Sequence, residues 1–232
     1  MVDKPGRRKK NPVPWGKIGA AVIIAIVAVA SGYYIYENYI YSPSPEYAKL
    51  STSLGDIYVE LYPACAPKTV SNFVSLSQSG FYTDLVWHRI VKGFVIQTGD
   101  PKTRGGVNST RTTWGTGGSN TTLPLEVCGW LHNYAGYVAM AREGNQTYGL
   151  NTGTSQFYIL TDNQTAATFT QLDGYYTVFG KVITGMSVVC AISKVAVYAS
   201  NEQPITPVFL NNVTIISAAQ APAPQTLVSC KY

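Results

Sequence analysis

The sequence predicts a mainly-β domain, a closed antiparallel barrel with two helices, behind one membrane-spanning helix. Three observations carry that prediction. Short apolar runs alternate with period two and are separated by turns rich in Gly, Asn, Thr and Ser, the pattern of barrels. Only two stretches carry a helical apolar stripe, and they do not alternate strictly with the strands, as a βαβ fold would require. Finally, the run 18–36 holds no charge and follows a basic arm.

That arm, residues 1–17, holds Lys4, Arg7, Arg8, Lys9, Lys10 and Lys17. At about 1.5 Å per residue, "IGAAVIIAIVAVASGYYIY" (18–36) reaches across a bilayer core of roughly 30 Å. Trp15 precedes it and Tyr33, Tyr34, Tyr36, Tyr39 and Tyr41 follow where aromatic belts form. Positive charge before the span keeps the N-terminus cytoplasmic. Ala28-Val29-Ala30 before Ser31 also has the form of a signal-peptide cleavage site. Both readings put the rest of the chain outside the cytoplasm. Residues 37–46, ending in "YSPSPE", read as a Tyr/Pro/Ser linker.

From residue 43 onward 11 Lys/Arg stand against 10 Asp/Glu, so the net charge of +5 belongs to the arm. The domain therefore lacks the basic balance of a nucleic-acid binder. Its first strands are "YAKLSTSLGDIYVELY", two runs joined at Leu54-Gly55-Asp56, with Ile57, Val59 and Leu61 alternating against Tyr58 and Glu60. "APKTVSNFVSLSQSG" is a helix, with Pro67 early, Val70, Phe73, Val74 and Leu76 on one stripe, and Gly80 as its stop. Strands follow at 86–91 and 95–98 around a Lys92-Gly93 turn. Residues 101–135 form a long Gly/Thr/Asn/Ser loop, a length often tied to function. Further strands are "YVAMA" (137–141), "QFYILT" (156–161), "YTVFGKVI" (176–183) and "VFLNNVTIIS", with a second helix in "GMSVVCAISKV". The barrel domain thus covers 47–217, and 218–232 is an Ala/Pro-rich tail that Cys230 has the means to tether.

Cys65, Cys128, Cys190 and Cys230 make an even set with three possible pairings, and their spacing fits no zinc pattern. With two histidines in the chain, no metal site is expected. N-x-S/T acceptors at Asn108, Asn120, Asn145, Asn163 and Asn212 agree with an extracytoplasmic setting.

The stretch with chemistry is "WHRIVKGFVIQTGDP", 87–101. An apolar strand excludes an unpaired guanidinium, so Arg89 is either a paired structural ion or points into a site. Period two puts Arg89 on a face with Trp87 and Val91, and Val95 with Gln97. The Lys92–Phe94 turn then joins both faces into one patch of guanidinium, carboxamide and apolar groups. His88 faces the other way, as a hydrogen-bonded core histidine, and no nucleophile–base pair stands beside it.

Read in order, "TSLGDIYVELYPACAPKTVSNFVSL", "GFYTDLVWHRIVKGFVIQTGDP", "GTGG" (115–118), "GYVAMA", "TSQFYIL" and "LDGYYTVFGKVITGM" resemble the cyclophilins over about residues 47–217. The resemblance implies a closed eight-stranded barrel capped by two helices, and peptidyl-prolyl cis–trans isomerase activity with no metal or cofactor. It makes Arg89 the catalytic arginine, with Phe94 in the proline pocket and Gln97 beside it. Val95, Ala141, Arg142, Gln156, Tyr158, Leu172 and Tyr176 would line the peptide groove. Departures are Val95 for a common methionine, Tyr158 for a second phenylalanine, Tyr176 for a histidine and Arg142 for an asparagine. Gln171 stands where cyclosporin-sensitive members have tryptophan, so weak cyclosporin binding is expected.

The expected function is that of a membrane-anchored foldase acting on Xaa-Pro bonds of extracytoplasmic proteins. A proline-peptide binding module tethered at the cell surface, without turnover, is the alternative, and a structural envelope protein a third. The third leaves Arg89 unexplained.

Overall fold

The structure, a computed structural model, describes residues 46–143, 149–163 and 171–231. The span expected at 18–36, its basic arm and nearly all of the linker lie outside the described residues. Among the described residues no helix is long and apolar enough to cross a membrane.

Among the described residues nine strands form one antiparallel sheet: β1 (Glu46–Thr52), β2 (Gly55–Leu61), β3 (Leu85–Val86), β4 (Arg89–Val91), β5 (Val95–Thr98), β6 (Tyr137–Met140), β7 (Phe157–Leu160), β8 (Val178–Thr184) and β9 (Phe209–Ile216). Their order is β3-β9-β1-β2-β8-β6-β7-β5-β4. The expectation of a closed eight-stranded barrel is corrected here to a curled, half-barrel sheet of nine. The extra strand comes from the run read as one strand over 86–91. Its first part pairs with β9 and its second with β5. Trp87 and His88, between them, belong to neither ladder, although the Trp87 amide still donates to Val208 O at 3.0 Å. The two edge strands of the order are therefore consecutive in the chain.

That break also shifts the alternation. Leu85 and Trp87 enter the main core, but so does Ile90, which leaves Arg89 and Val91 on the opposite face. The expected sharing of a face by Arg89 and Trp87 is thereby overturned. In β5, β6, β7 and the start of β8 period two holds. Ile96, Phe157, Ile159, Val138, Met140 and Phe179 face the main core, while Val95, Tyr158, Leu160, Ala139 and Val178 build a second apolar cluster.

Two helices bury their stripes in the main core, α1 (Pro67–Gln78) through Val70 and Phe73 and α2 (Met186–Ser193) through Val189 and Ile192. Phe73 packs at 5.3–5.4 Å from the rings of Tyr82, Phe157 and Phe179. Ala66 gives α1 no side-chain cap. Glu126 supplies it instead, accepting from the Lys68 and Thr69 amides at 3.0 and 2.9 Å.

The four cysteines pair as Cys65–Cys128 and Cys190–Cys230. The tail runs back along the sheet, where the Gln225 amide donates to Ile183 O at 2.7 Å and the Cys230 amide to Thr161 O at 2.8 Å.

Candidate active site

The second apolar cluster is the floor of the site, and strand register assembles it. Arg89 lies opposite Gln97, Gln97 opposite Tyr158, and Tyr158 opposite Ala139. Four neighbouring strands thus present one row, with rungs about 4.8 Å apart. Arg89, Phe94, Val95, Gln97, Ala141, Arg142, Tyr158, Leu172 and Tyr176 line a cavity of about 310 Å³. An adjoining polar cavity of about 280 Å³ is walled by Gly115–Ser119, Thr152, Thr154 and Gln156 and shares Gln97, Ala141 and Arg142 with the first. All ten residues singled out from the sequence therefore lie on two adjoining cavities.

Arg89 has 38% of its side chain exposed, in contact with both protein and solvent. Its Nε donates to Glu202 Oε2 at 2.7 Å, and Nη1 reaches toward Gln97 Oε1 at 3.5 Å. A guanidinium carries five N–H donors, so donors remain to face the cavity. A relay of amides fixes which end of Gln97 meets the arginine. Gln156 Nε2 donates to the carbonyls of Gly115 (3.0 Å) and Gly117 (2.6 Å), so its Oε1 must accept. It accepts from Gln97 Nε2 at 2.9 Å, which turns Gln97 Oε1 toward Arg89.

The "GTGG" loop that receives this relay is itself pinned. Asp100, fully buried, accepts from the amides of Lys102 (2.8 Å), Gly115 (2.6 Å) and Gly117 (3.2 Å), which satisfies its charge without a cation. His88 packs beneath Gly115 and is buried, as the sequence implied. Contrary to expectation it is not hydrogen-bonded: Val86 and Gln156 lie close enough to favour its proton, but neither ring nitrogen makes a bond of good geometry. Burial lowers its imidazole to about 4, so it is neutral at pH 7.

On the apolar side, Tyr158 finds the partner its extra hydroxyl demands, donating to Asn133 Oδ1 at 2.9 Å. Burial pushes the phenol well above its ordinary range and keeps it a donor. Asn133 donates onward to Asp173 at 2.7 Å, and His132 Nδ1 lies 2.7 Å from the other Asp173 oxygen. Tyr176 meets Tyr158 edge-on at 5.8 Å. Arg142 lies 4.7 Å over the Tyr176 ring and donates to Tyr175 O at 2.7 Å, so its side chain closes the rim.

Sequence reasoning missed Glu202, which is 113 residues from Arg89, and the Asn133–Asp173 network. No local spacing signals either. Among the described residues no cluster of three or more His, Cys, Asp or Glu is suited to a metal. The arrangement offers a charged, fixed donor at the edge of an apolar pocket, with carbonyl and carboxamide partners for a flanking peptide.

Comparison with known proteins agrees. The family model described as "Cyclophilin type peptidyl-prolyl cis-trans isomerase/CLD" matches residues 47–218. A human protein, peptidyl-prolyl cis-trans isomerase-like 3, is 38% identical over 168 residues, covering 72% of this chain and 93% of its own. A cyclophilin type isomerase from Cryptosporidium parvum superposes with a TM-score of 0.64 at 29% identity, over 75% of this chain and 98% of that one. A second crystal structure of that protein, in the presence of the dipeptide Ala-Pro, gives 0.62, again at 29% identity, over 74% and 99%.

Proposed function

The chain belongs to the cyclophilin-type peptidyl-prolyl cis-trans isomerases, and from that premise we propose that Arg89 is its catalytic donor and that it works as a foldase outside the cytoplasmic membrane. One observation carries the first part: Arg89 lines the same 310 Å³ cavity as Phe94, Val95, Tyr158, Leu172 and Tyr176.

Rotation about a peptide C–N bond meets a barrier of about 18–20 kcal/mol because resonance must be lost. Twisting an Xaa-Pro bond leaves a lone pair on the prolyl nitrogen. A donor aimed at that nitrogen binds only once the lone pair appears, so it favours the transition state over both ground states. The Arg89 Nη groups are that donor. Phe94, Val95, Tyr158, Leu172 and Tyr176 hold the ring and exclude water, which strengthens the donor's effect. Gln97, the backbone of Ala141 and Arg142, and the Gln156 wall hold the flanking chain while the other side rotates. An acceleration of ~10⁵-fold needs about 7 kcal/mol, within reach of positioning plus one charged donor.

The location is supported by the two disulfides, which persist in oxidising surroundings, and by the uncharged run at 18–36 behind a basic arm. Asn108, Asn120, Asn163 and Asn212 are all exposed, as glycan acceptors must be. On this reading residues 18–36 anchor the chain, and proline-containing polypeptides on the outer side are its clients. Gln171, exposed and next in the chain to the pocket residue Leu172, offers cyclosporin no indole, so binding of that ligand is weak.

The test is catalysis of a proline-limited refolding phase by the full chain in lipid nanodiscs, beside Arg89→Ala. A faster slow phase with the chain and none with the variant supports the foldase. Equal rates with both would reject Arg89 as donor. Protease added to intact cells should remove the domain; protection would reject the external location.

A further inference from the structure

The loop between α2 and β9 reaches back to the site through Glu202. We propose that Glu202 is a positioning residue for the isomerase: its carboxylate fixes the Arg89 guanidinium by Nε and so presents the Nη groups to the cavity. The proposal rests on the reading of Arg89 as donor.

Glu202 grips β4 twice. Its side chain accepts from Arg89 Nε at 2.7 Å, and its carbonyl accepts from the Ile90 amide at 2.9 Å. Side chain and backbone together set the arginine's direction relative to its own strand. Gln97 flanks the guanidinium from the other side, so the planar fork lies between two acceptors. With 38% and 42% of the two side chains exposed, the pair is too solvated to be a major source of stability. Its consequence is orientation. A free arginine samples many rotamers, whereas one held at Nε has its ordering settled before substrate arrives.

The backbone points the same way. Glu202 has φ +61°, a left-handed conformation that disfavours a residue with a Cβ. The surrounding loop imposes it. The Glu202 amide donates to Tyr198 O and the Tyr198 amide to Gln203 O, both at 2.9 Å, and Val197 bridges Pro204. Arg111 lies over the Trp114 ring at 4.6 Å and donates to Pro204 O at 2.7 Å and Ile205 O at 2.9 Å. Gln203 Nε2 returns a bond to Arg111 O at 3.0 Å. Gly or Asn would suit this turn better. Only a side chain as long as Glu also reaches Nε as an anion, and strain kept at such a point marks a functional constraint.

The experiment measures cis–trans exchange of an Ala-Pro peptide by the full chain, separating kcat from KM, for Glu202→Gly, Glu202→Asn and Glu202→Gln, each with Arg89 intact or as Arg89→Ala. Glu202→Gly and Glu202→Asn relieve the backbone and withdraw the anchor. Both should melt no lower than the parent yet lose about tenfold in kcat, with KM within twofold. Glu202→Gln keeps an acceptor at the same reach and should recover most of that loss. In the Arg89→Ala background none of the three should change the residual rate. Parent-like kcat in Glu202→Gly and Glu202→Asn would overturn the proposal, as would a loss that persists without Arg89. Full activity in Arg89→Ala alone would instead fell the donor reading beneath it.

Discussion

Acid should unfold this domain earlier than its carboxylates require, because of His88. The ring is 3% exposed, and neither nitrogen makes a hydrogen bond of good geometry that would hold a charge in place. Burial therefore lowers its proton affinity to about 4, against the opposing pull of Asp100, the Val86 backbone and Gln156 and with a further push from Arg89. An unfolded histidine titrates near 6.5. As pH falls below that value the unfolded chain takes up a proton that the folded chain refuses, and stability drops until the folded value is reached. Each pH unit in that window removes about 1.4 kcal/mol, so roughly 2 kcal/mol is lost by pH 5 and about 3 kcal/mol by pH 4. Asp173 does not contribute there. Burial raises it, but hydrogen bonds from Asn133 and His132 hold it below the ordinary carboxylate value, so its share is lost only at lower pH. Urea unfolding at pH 7, 6 and 5 would read the loss as a falling midpoint, and His88→Gln should flatten the dependence. Equal midpoints at pH 7 and 5, or the same slope in His88→Gln, would refute the reasoning.

Other perturbations separate the frame of the site from its chemistry. Cys65–Cys128 closes a separation of 63 residues, so replacing both by Ser should cost about 4 kcal/mol by loop entropy, seen as a lower denaturant midpoint. The same change frees the segment carrying Leu131 and Asn133 against the pocket, and KM for an Ala-Pro peptide should rise. Tyr158→Phe leaves Asn133 without its donor and should cost about 1 kcal/mol, while kcat stays within twofold because the apolar wall is kept. Gly99 has φ +94°, and a Cβ there would run into the Ser155 carbonyl. Gly99→Ala should therefore destabilise by about 2 kcal/mol or more in thermal melts and displace Gln156 next door.

The legible part of this protein was what local periodicity encodes. Alternation in "FVIQT", "YVAM" and "FYIL" set each strand's two faces, and Val95, Gln97 and Tyr158 fell on the site face as period two required. The same rule failed at Trp87–His88, where the chain changes partners from β9 to β5 and the alternation slips. Nothing in "LVWHRIV" marks that slip, because it is imposed by two different neighbouring strands. Long-range pairings were equally silent. Four cysteines left three pairings open, and the charge on Glu126, used to cap α1 from 57 residues away, looks like any loop carboxylate. Glu202 is the sharpest case. Its turn reads as a place for Gly or Asn, and only the folded chain shows why a glutamate stands there.

The central claim is that a fixed arginine in an apolar pocket drives prolyl rotation, and one measurement addresses it most directly. Cis–trans exchange of an Ala-Pro peptide, followed by NMR at saturating concentration with the full chain, isolates rotation from binding. Arg89→Ala should still shift the peptide resonances, because Phe94, Val95, Leu172 and Tyr176 remain, but should exchange it about 100-fold more slowly, as loss of one transition-state donor does elsewhere. Exchange at the parent rate in Arg89→Ala would contradict the account and leave the apolar pocket alone as the catalyst.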